Sequence, residues 1–300
     1  LGDDVRVPKR ASAPRMRKTR RALAATIVLA LIVVGAFLIW REHRMAVSYQ
    51  EALRLEQSGE DERAYEAFAA LGGYAEAEEH LRAMLNANPA LPYRVATKGS
   101  LVDFGSYEQD GKDSNGPEPI RWIVLDKLDG RLLLLSLDSL EARPYHPVPF
   151  EPITWQDSDL RQWMNMEFLN TAFTDLERSL IPTVEVPNAA QTKTGTTGGP
   201  ATKDRVFALS ETEAAIYIAD PLEHELVGKA LLSAKAADDA LPLDEDGHAD
   251  WWLRSPGTYD FTAQFIDRKG AAHVSGANVD VIYGVRPALW LDTNPAGEEQ

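Results

Sequence analysis

The longest uninterrupted hydrophobic stretch of the chain runs from Ala22 to Trp40 and contains no charged residue, while Arg21 and Arg41 flank it. A helix over this stretch would be roughly 28 Å long, which matches the hydrocarbon thickness of a bilayer. A core helix of the same length would carry a polar face, and this stretch has none. The pattern therefore predicts a transmembrane helix over residues 22–40, with Trp40 at the membrane interface.

A cleaved signal peptide is the alternative interpretation of this hydrophobic stretch. Signal peptides have an apolar region of roughly 7–15 residues followed by a cleavage site of small residues. The stretch here is longer, and the charged segment 41–44 separates it from the small residues Ala46, Val47 and Ser48. We therefore expect an anchor that stays attached.

The charges on the two sides of the hydrophobic stretch have opposite signs. Basic residues dominate the segment 1–21, whereas acidic residues dominate the chain beyond Arg44. Short basic segments stay in the cytoplasm, so residues 1–21 are predicted to be a cytoplasmic tail and residues 45–300 to lie outside the membrane. A basic tail can also bind nucleic acid. Next to a membrane helix it is better explained as a topology signal that contacts anionic lipid.

The next segment, residues 45–88, repeats apolar residues at helical spacing, and Gly59 and Gly72 divide it into three pieces. It resembles a single tetratricopeptide-like helical pair with one further helix. Such repeats need about three or more units to form a stable array. We therefore expect a short helical collar here rather than a peptide-binding superhelix, ending at Asn88-Pro89.

Residues 97–292 show short strand-like runs separated by turns and a few helices, which predicts a mixed α+β domain followed by a tail over 293–300. Helices are expected to begin near Ser158 and Ser210, where side chains suited to helix N-termini precede apolar residues. The predicted strands are 101–107, 120–125, 132–137, 205–209, 251–254, 263–267 and 285–291. Two long polar loops, 187–203 and 238–250, interrupt the pattern.

The composition of the chain excludes several classes of function. The formal net charge is −15 and the chain has no cysteine. The acidic domain argues against nucleic-acid binding, and the lack of cysteine excludes disulfides, zinc–thiolate sites and thiol nucleophiles. His224-Glu225 begins like a zinc-protease motif, but Gly228 stands where the second histidine is needed. We therefore expect no cofactor.

The acidic stretch 244–250 is the best metal candidate, because closely spaced oxygen ligands suit calcium. Its spacing does not match the EF-hand loop. A solvated acidic turn is the ordinary explanation of such a charge run.

Six short strings in the second half of the chain occur together in order. They are Phe104–Tyr107, Pro119–Leu125, Thr154–Asn165, Val206–Ser210, Trp252–Gly257 (Trp-Leu-Arg-Ser-Pro-Gly) and Gly284–Leu289 (Gly-Val-Arg-Pro-Ala-Leu). Together they resemble an uncharacterised bacterial domain family, a domain of unknown function that often follows a membrane helix and a tetratricopeptide-like segment. The resemblance covers roughly residues 97–292.

That family is distantly similar to formylglycine-generating-enzyme and C-type-lectin-like folds, which also end in a Gly-Val-Arg-like strand after a tryptophan-bearing strand. The similarity implies a C-type-lectin-like α+β domain. The generating enzymes work through a cysteine pair, so their chemistry does not carry over to this chain.

The leading functional hypothesis is a surface binding module for a glycan, a cell-wall component or a partner protein. Exposed aromatic rings beside carboxylates and amides suit sugar rings, and the loops 187–203 and 238–260 are long enough to carry such a surface. The predicted ligand-binding residues are Asp250, Trp252, Tyr259, Asp260 and Asn278. The hypothesis requires exposed ring area on Trp251 or Trp252; the alternative is that both rings are core.

Two other functions stay open. A hydrolase or transferase would use carboxylates such as Asp250, Asp260 or Asp267, although their sequence spacing singles out no acid–base pair. A sensor would relay binding inward, but the tail 1–21 is too short for a signalling domain. Arg254 and Arg286 could clasp an anionic ligand; their apolar neighbours favour buried pairing with carboxylates instead.

Overall fold

The computed structural model describes residues 15–218, 225–236 and 241–294. The chain divides into two compact units, residues 1–87 and residues 88–300.

The first unit is helical. Its helices are α1 (Arg15–Gln57), α2 (Asp61–Leu71) and α3 (Ala77–Ala87). The predicted membrane span and the first collar helix are one continuous helix, because no glycine or proline breaks the chain between Trp40 and Gln57. Thr26–Gln57 is the one described helix that is long and apolar enough to cross a membrane, and its most apolar window is not buried.

The collar helices pack through a small aromatic core. Phe68 is fully buried, and the ring of Tyr49 meets it edge-on at a centroid distance of 6.0 Å. The Tyr49 hydroxyl donates to Glu76 Oε2 at 2.9 Å, which ties α1 to the segment before α3. Gly59 and Gly72 lie between the helices with φ of 73° and 56°, a left-handed region that glycine enters without strain.

The second unit contains two five-stranded sheets and a two-stranded ribbon. The first sheet has the strand order β1-β2-β3-β12-β7, the second has β10-β9-β8-β11-β4, and β5 pairs with β6. The strands are β1 (Leu101–Tyr107), β2 (Glu118–Leu128), β3 (Arg131–Ser136), β4 (Glu141–Pro144), β5 (Val184–Val186), β6 (Thr202–Asp204), β7 (Val206–Phe207), β8 (Trp251–Pro256), β9 (Thr262–Ile266), β10 (Ala272–Asn278), β11 (Ile282–Val285) and β12 (Ala288–Asp292).

The described helices of the second unit are short. They are α4 (Leu91–Arg94), α5 (Asp159–Trp163), α6 (Leu169–Ala172), α7 (Asp175–Ser179), α8 (Glu211–Tyr217) and α9 (Glu225–Gly228). A π-helical turn joins α5 to α6. Ser158 caps α5, and Ser210 caps α8 in a reciprocal capping box with Glu213. The helix starts predicted at these two serines are therefore confirmed.

The predicted strand 285–291 is wrong in one respect, because it is two strands that belong to different sheets. β11 ends at Val285 in the second sheet, and β12 begins at Ala288 in the first sheet. Arg286 and Pro287 lie between them, and Pro287 has no N–H to donate to a strand ladder. One short segment therefore links the two sheets.

The predicted tail over 293–300 begins within the fold. Thr293 is buried and its N–H donates to the Gly130 carbonyl at 2.9 Å. The rest of that segment from residue 295 onward lies outside the described residues, as does most of the predicted basic tail.

Candidate binding cleft

Residues of the string Thr154–Asn165 bind a buried acidic residue, Asp204. Asp204 is fully buried, and its Oδ2 accepts from Trp155 Nε1 at 2.9 Å and from Thr202 Oγ1 at 2.7 Å. Its Oδ1 accepts from Arg161 Nε at 2.7 Å. Because a buried carboxylate is stable only when it is paired and hydrogen-bonded, Trp155 and Arg161 have structural roles.

The glycines of two strings have steric roles. A Cβ at Gly257 would lie 2.4 Å from Thr262 Oγ1, and a Cβ at Gly284 would lie 2.6 Å from Ser139 Oγ. Neither backbone position has room for a side chain. The glycines of these two strings therefore have a role in close packing rather than in binding or catalysis.

The arginines of the strings Trp252–Gly257 and Gly284–Leu289 differ in what they bind. Arg254 forms a bidentate ion pair with Glu213 and also donates to the carbonyls of Pro187 and Ala208, so the predicted carboxylate pairing is confirmed there.

Arg286 has no such carboxylate partner among the residues that the structure describes. It donates to the carbonyls of Ser136 and Val227, and its guanidinium lies 4.8 Å from the Trp251 ring centre. Burial lowers the pKa of Arg286, and the charge of Asp138 opposes that shift. Carbonyl oxygens and an aromatic face replace the expected carboxylate.

The predicted ligand-binding set separates into two groups. Trp252 is 1 % exposed, and its Nε1 donates to the Arg143 carbonyl at 2.9 Å. Asp250 is also buried and pairs with Arg268, whose Nε lies 3.1 Å from Asp250 Oδ1. Trp251 is fully buried as well. The tryptophan-centred glycan surface is therefore wrong, because β8 is an interior strand of its sheet and all six of its residues are buried.

The other three predicted residues lie around one turn. Tyr259 is 60 % exposed and stacks on Phe261 at a centroid distance of 5.3 Å, and Asp260 between them is exposed. Asn278 is half-buried on β10 and pairs in register with Thr262. The structure brings Tyr259, Asp260 and Asn278 to one edge of the second sheet, away from the buried pair.

Asp267, one of the carboxylates considered for catalysis, stabilises a turn. Asp267 closes the β9–β10 turn by accepting from the N–H groups of Lys269 and Ala271, each at 2.9 Å. Burial would raise the pKa of Asp267, but the hydrogen bond from His273 and these backbone bonds outweigh it and lower the pKa. Asp267 is therefore a turn-stabilising carboxylate rather than a general acid.

The metal candidate is a compact turn. The possible ligand atoms of Asp244, Asp246 and His248 lie within 4.8 Å of one another. Asp244 already accepts from the backbone N–H groups of Asp246 and His248 and from His248 Nδ1. These bonds satisfy the carboxylate within the turn. His224 of the incomplete zinc motif lies outside the described residues.

A cleft that sequence reasoning missed lies between α8 and the second sheet. It encloses about 750 Å³, within the usual range of roughly 300–1,000 Å³ for small-molecule sites. One helical face of α8 forms a wall and strands β8, β9 and β10 form the floor. The apolar lining consists of Ala214, Ala215, Ile218, Leu253, Ile266, Ala271, Ala272 and Val274.

The start of α8 is fixed to β8 by two polar contacts. Glu213 pairs with Arg254, and the Glu211 N–H donates to Ser255 Oγ at 2.8 Å. Because the capping box also fixes this turn, the Glu211 side chain is held at the entrance of the helix. Glu211 is one of the residues that line the cleft.

Gln264 is the polar group on the floor of the cleft. It is fully buried, and its Nε2 donates to Glu211 Oε2 at 2.8 Å and to the Pro256 carbonyl at 3.0 Å. Both partners are acceptors, which fixes the orientation of the amide. The Gln264 Oε1 atom has no hydrogen-bond donor among the residues that the structure describes. A buried acceptor without a donor costs about 1–3 kcal/mol.

Two lysines, Lys229 and Lys269, line the same cleft. Lys229 follows Gly228 and Lys269 precedes Gly270. These two glycines lie close together, since a Cβ at Gly228 would be only 3.2 Å from the Gly270 Cα, so both lysines lie at the same end of the cleft. The cleft therefore offers acceptors at Glu211 and Gln264 and positive charge at the lysines. No pattern of spacing in the sequence joins these residues, because they come from α8, two turns and β9.

Comparison with known proteins supports the resemblance in part. Residues 129–293 match the family described as Domain of unknown function (DUF6273), and no curated protein or solved structure matches the chain. Strands β1 and β2 precede the matched region, yet they belong to the same sheet as β3. The match covers more than half of the 300 residues, and the chain therefore belongs to the DUF6273 family.

Proposed function

We propose that this chain is a membrane-anchored binding module that takes a small ligand in the cleft between α8 and strands β8–β10. The observation that carries the proposal is the buried Gln264 Oε1, an acceptor without a donor at a cleft of about 750 Å³. A ligand that donates a hydrogen bond there would remove the cost of the unpaired acceptor.

The ligand must bring a hydrogen-bond donor and an apolar body. Glu211 accepts from Thr192 Oγ1 and Gln264 Nε2, and a carboxylate has about four acceptor sites, so it has capacity for a further donor. An ammonium group has three donors and a charge opposite to that of Glu211. The apolar lining suits an alkyl chain attached to it.

The anchor proposal rests on the first unit. Residues 22–40 are uncharged and lie within α1, and basic residues precede them. This arrangement supports a single span with residues 1–21 in the cytoplasm and residues 45–300 outside, in the cell envelope. The acidic extracytoplasmic part supports a ligand other than nucleic acid.

A distant relation to C-type-lectin-like folds is also part of the proposal. The support is that Gly284, at the Gly-Val-Arg string, pairs in parallel with Trp251 of the tryptophan-bearing strand. An experimental structure of the chain, compared with C-type-lectin-like domains, tests this relation through the order and direction of the strands in the second sheet.

The binding proposal is tested with hexylamine as the probe and the full chain in detergent micelles, by isothermal titration calorimetry. Ala215 lines the cleft, whereas the neighbouring Ile216 is exposed on α8 outside the cleft lining. We expect Ala215→Trp to weaken hexylamine binding at least tenfold, because the indole would fill the cleft, and Ile216→Trp to leave it unchanged. No binding to the wild-type chain, or equal binding by all three proteins, would overturn the proposal.

A further inference from the structure

The two ends of the cleft carry opposite charge. Glu211, at the start of α8, is bonded to Gln264 at one end. Lys229 and Lys269 adjoin Gly228 and Gly270, which lie beside Ile218 at the other end of α8. The close approach of Gly228 and Gly270 holds the two lysines together at that end. A ligand that uses both ends needs a cation and an anion on one molecule.

The apolar floor between the ends sets the spacing of those charges. Gln264 and Ile266 face the cleft from alternate positions of β9, so they are about 7 Å apart along the strand. Lys269 follows in the turn after β9, and its exposed side chain also lines the cleft. The cleft thus places an apolar stretch of several methylene lengths between acceptors and cations.

Resting on the binding function proposed above, we propose that the ligand is a short zwitterion, with an ammonium group at one end and a carboxylate at the other. The ammonium donates to Gln264 Oε1 and Glu211, the carboxylate faces Lys269, and the apolar chain lies on Leu253 and Ile266. An amino acid with a spacer between its two charged groups has this chemistry. A plain amine would use one end of the cleft only.

The test compares 6-aminohexanoate, hexylamine and hexanoate as probes of the full chain in detergent micelles, by titration calorimetry. We expect 6-aminohexanoate to bind about fivefold more tightly than hexylamine, since Lys269 is exposed and a solvent-screened ion pair adds a gain of that order. Hexanoate is expected to bind most weakly, because it leaves Gln264 Oε1 without a donor.

Two variants separate the charge effect from a general change. Lys269→Gln should remove the advantage of 6-aminohexanoate, which is read as the ratio of its affinity to that of hexylamine for the same variant. Lys112 is an exposed loop lysine outside the cleft lining. Lys112→Gln should therefore change neither the affinity for 6-aminohexanoate nor the affinity for hexylamine.

The outcomes distinguish the two proposals. If hexylamine binds as tightly as 6-aminohexanoate, or hexanoate binds best, or the advantage survives Lys269→Gln, the zwitterion proposal is overturned. In the first of these cases the cleft is still a binding site for amines. If none of the three probes binds, both proposals fall.

Discussion

Gln264 and Glu211 form a side-chain pair, with the Gln264 Nε2 donating to Glu211 Oε2 at 2.8 Å, and this bond joins the floor of the cleft to α8. The bond uses the donor half of the amide and leaves the Oε1 half unpaired. The pair therefore presents acceptors and no donor to a ligand. This polarity is the basis of the binding proposal.

The first prediction concerns Gln264 itself. Gln264→Met removes the Oε1 acceptor with little change in volume, and it should weaken hexylamine binding about tenfold, equal to about 1.5 kcal/mol for a hydrogen bond to a charged group. Titration calorimetry measures the affinity, and the near-ultraviolet circular dichroism spectrum checks that the fold is intact. Unchanged affinity in a folded variant would show that the ligand does not use this acceptor.

The second prediction concerns the ion pair that fixes α8. Arg254 is 3 % exposed, so Arg254→Met strands Glu213 and leaves two carbonyls without donors. We expect a loss of about 3–5 kcal/mol in the free energy of unfolding, measured by urea titration.

The matched control for Arg254 is an arginine in an exposed ion pair. Arg121 pairs with Asp103 at the surface, where both side chains are more than half exposed. Arg121→Met should therefore cost no more than about 1 kcal/mol. Similar losses for the two variants would mean that the buried pair contributes no more than a surface one.

The third prediction concerns Arg286. Among the residues that the structure describes, Arg286 pairs with no carboxylate, but its replacement removes the donor to the carbonyls of Ser136 and Val227. Arg286→Met should cost about 1–3 kcal/mol, less than Arg254→Met in the same urea titration. A larger loss than that of Arg254→Met would indicate that Arg286 is charge-paired after all.

Much of the fold could be predicted from the sequence because burial leaves a periodic signal. The buried run Leu132–Leu135 predicts β3, and the serine caps predict α5 and α8. β10 was missed, because Ala272–Asn278 is an edge strand of small and polar residues that are mostly exposed. Such a strand has no apolar alternation to detect.

The site was harder to predict than the fold for two physical reasons. Alternate side chains of a strand are exposed only when one face of the sheet is open to solvent. Trp252 is buried on an interior strand, so the expected exposure does not occur there. Gln264 gives no sequence signal, because its importance comes from an unpaired atom in three dimensions. An isolated Gln within Thr-Ala-Gln-Phe-Ile was the one visible hint, since a polar residue in an apolar strand must find partners.

The fourth prediction concerns topology. The native chain has no cysteine, so single cysteines report location cleanly. A membrane-impermeant maleimide should label Lys112→Cys in intact cells and should label Ser12→Cys only after permeabilisation. The reverse pattern would contradict the orientation, and a mature chain lacking residues 1–48 by intact mass would show that the hydrophobic stretch is a cleaved signal peptide.

The most direct test of the central claim is the nuclear magnetic resonance signal of the Gln264 side-chain amide during titration with hexylamine. The full chain is labelled with ¹⁵N-glutamine in detergent micelles, and the signal is assigned by its loss in Gln264→Met. We predict that this signal shifts and saturates together with the calorimetric binding curve, because the ligand donates to the Oε1 of the same amide. If hexylamine binds while the Gln264 signal stays in place, the ligand occupies another site and the cleft is not the binding site of this protein.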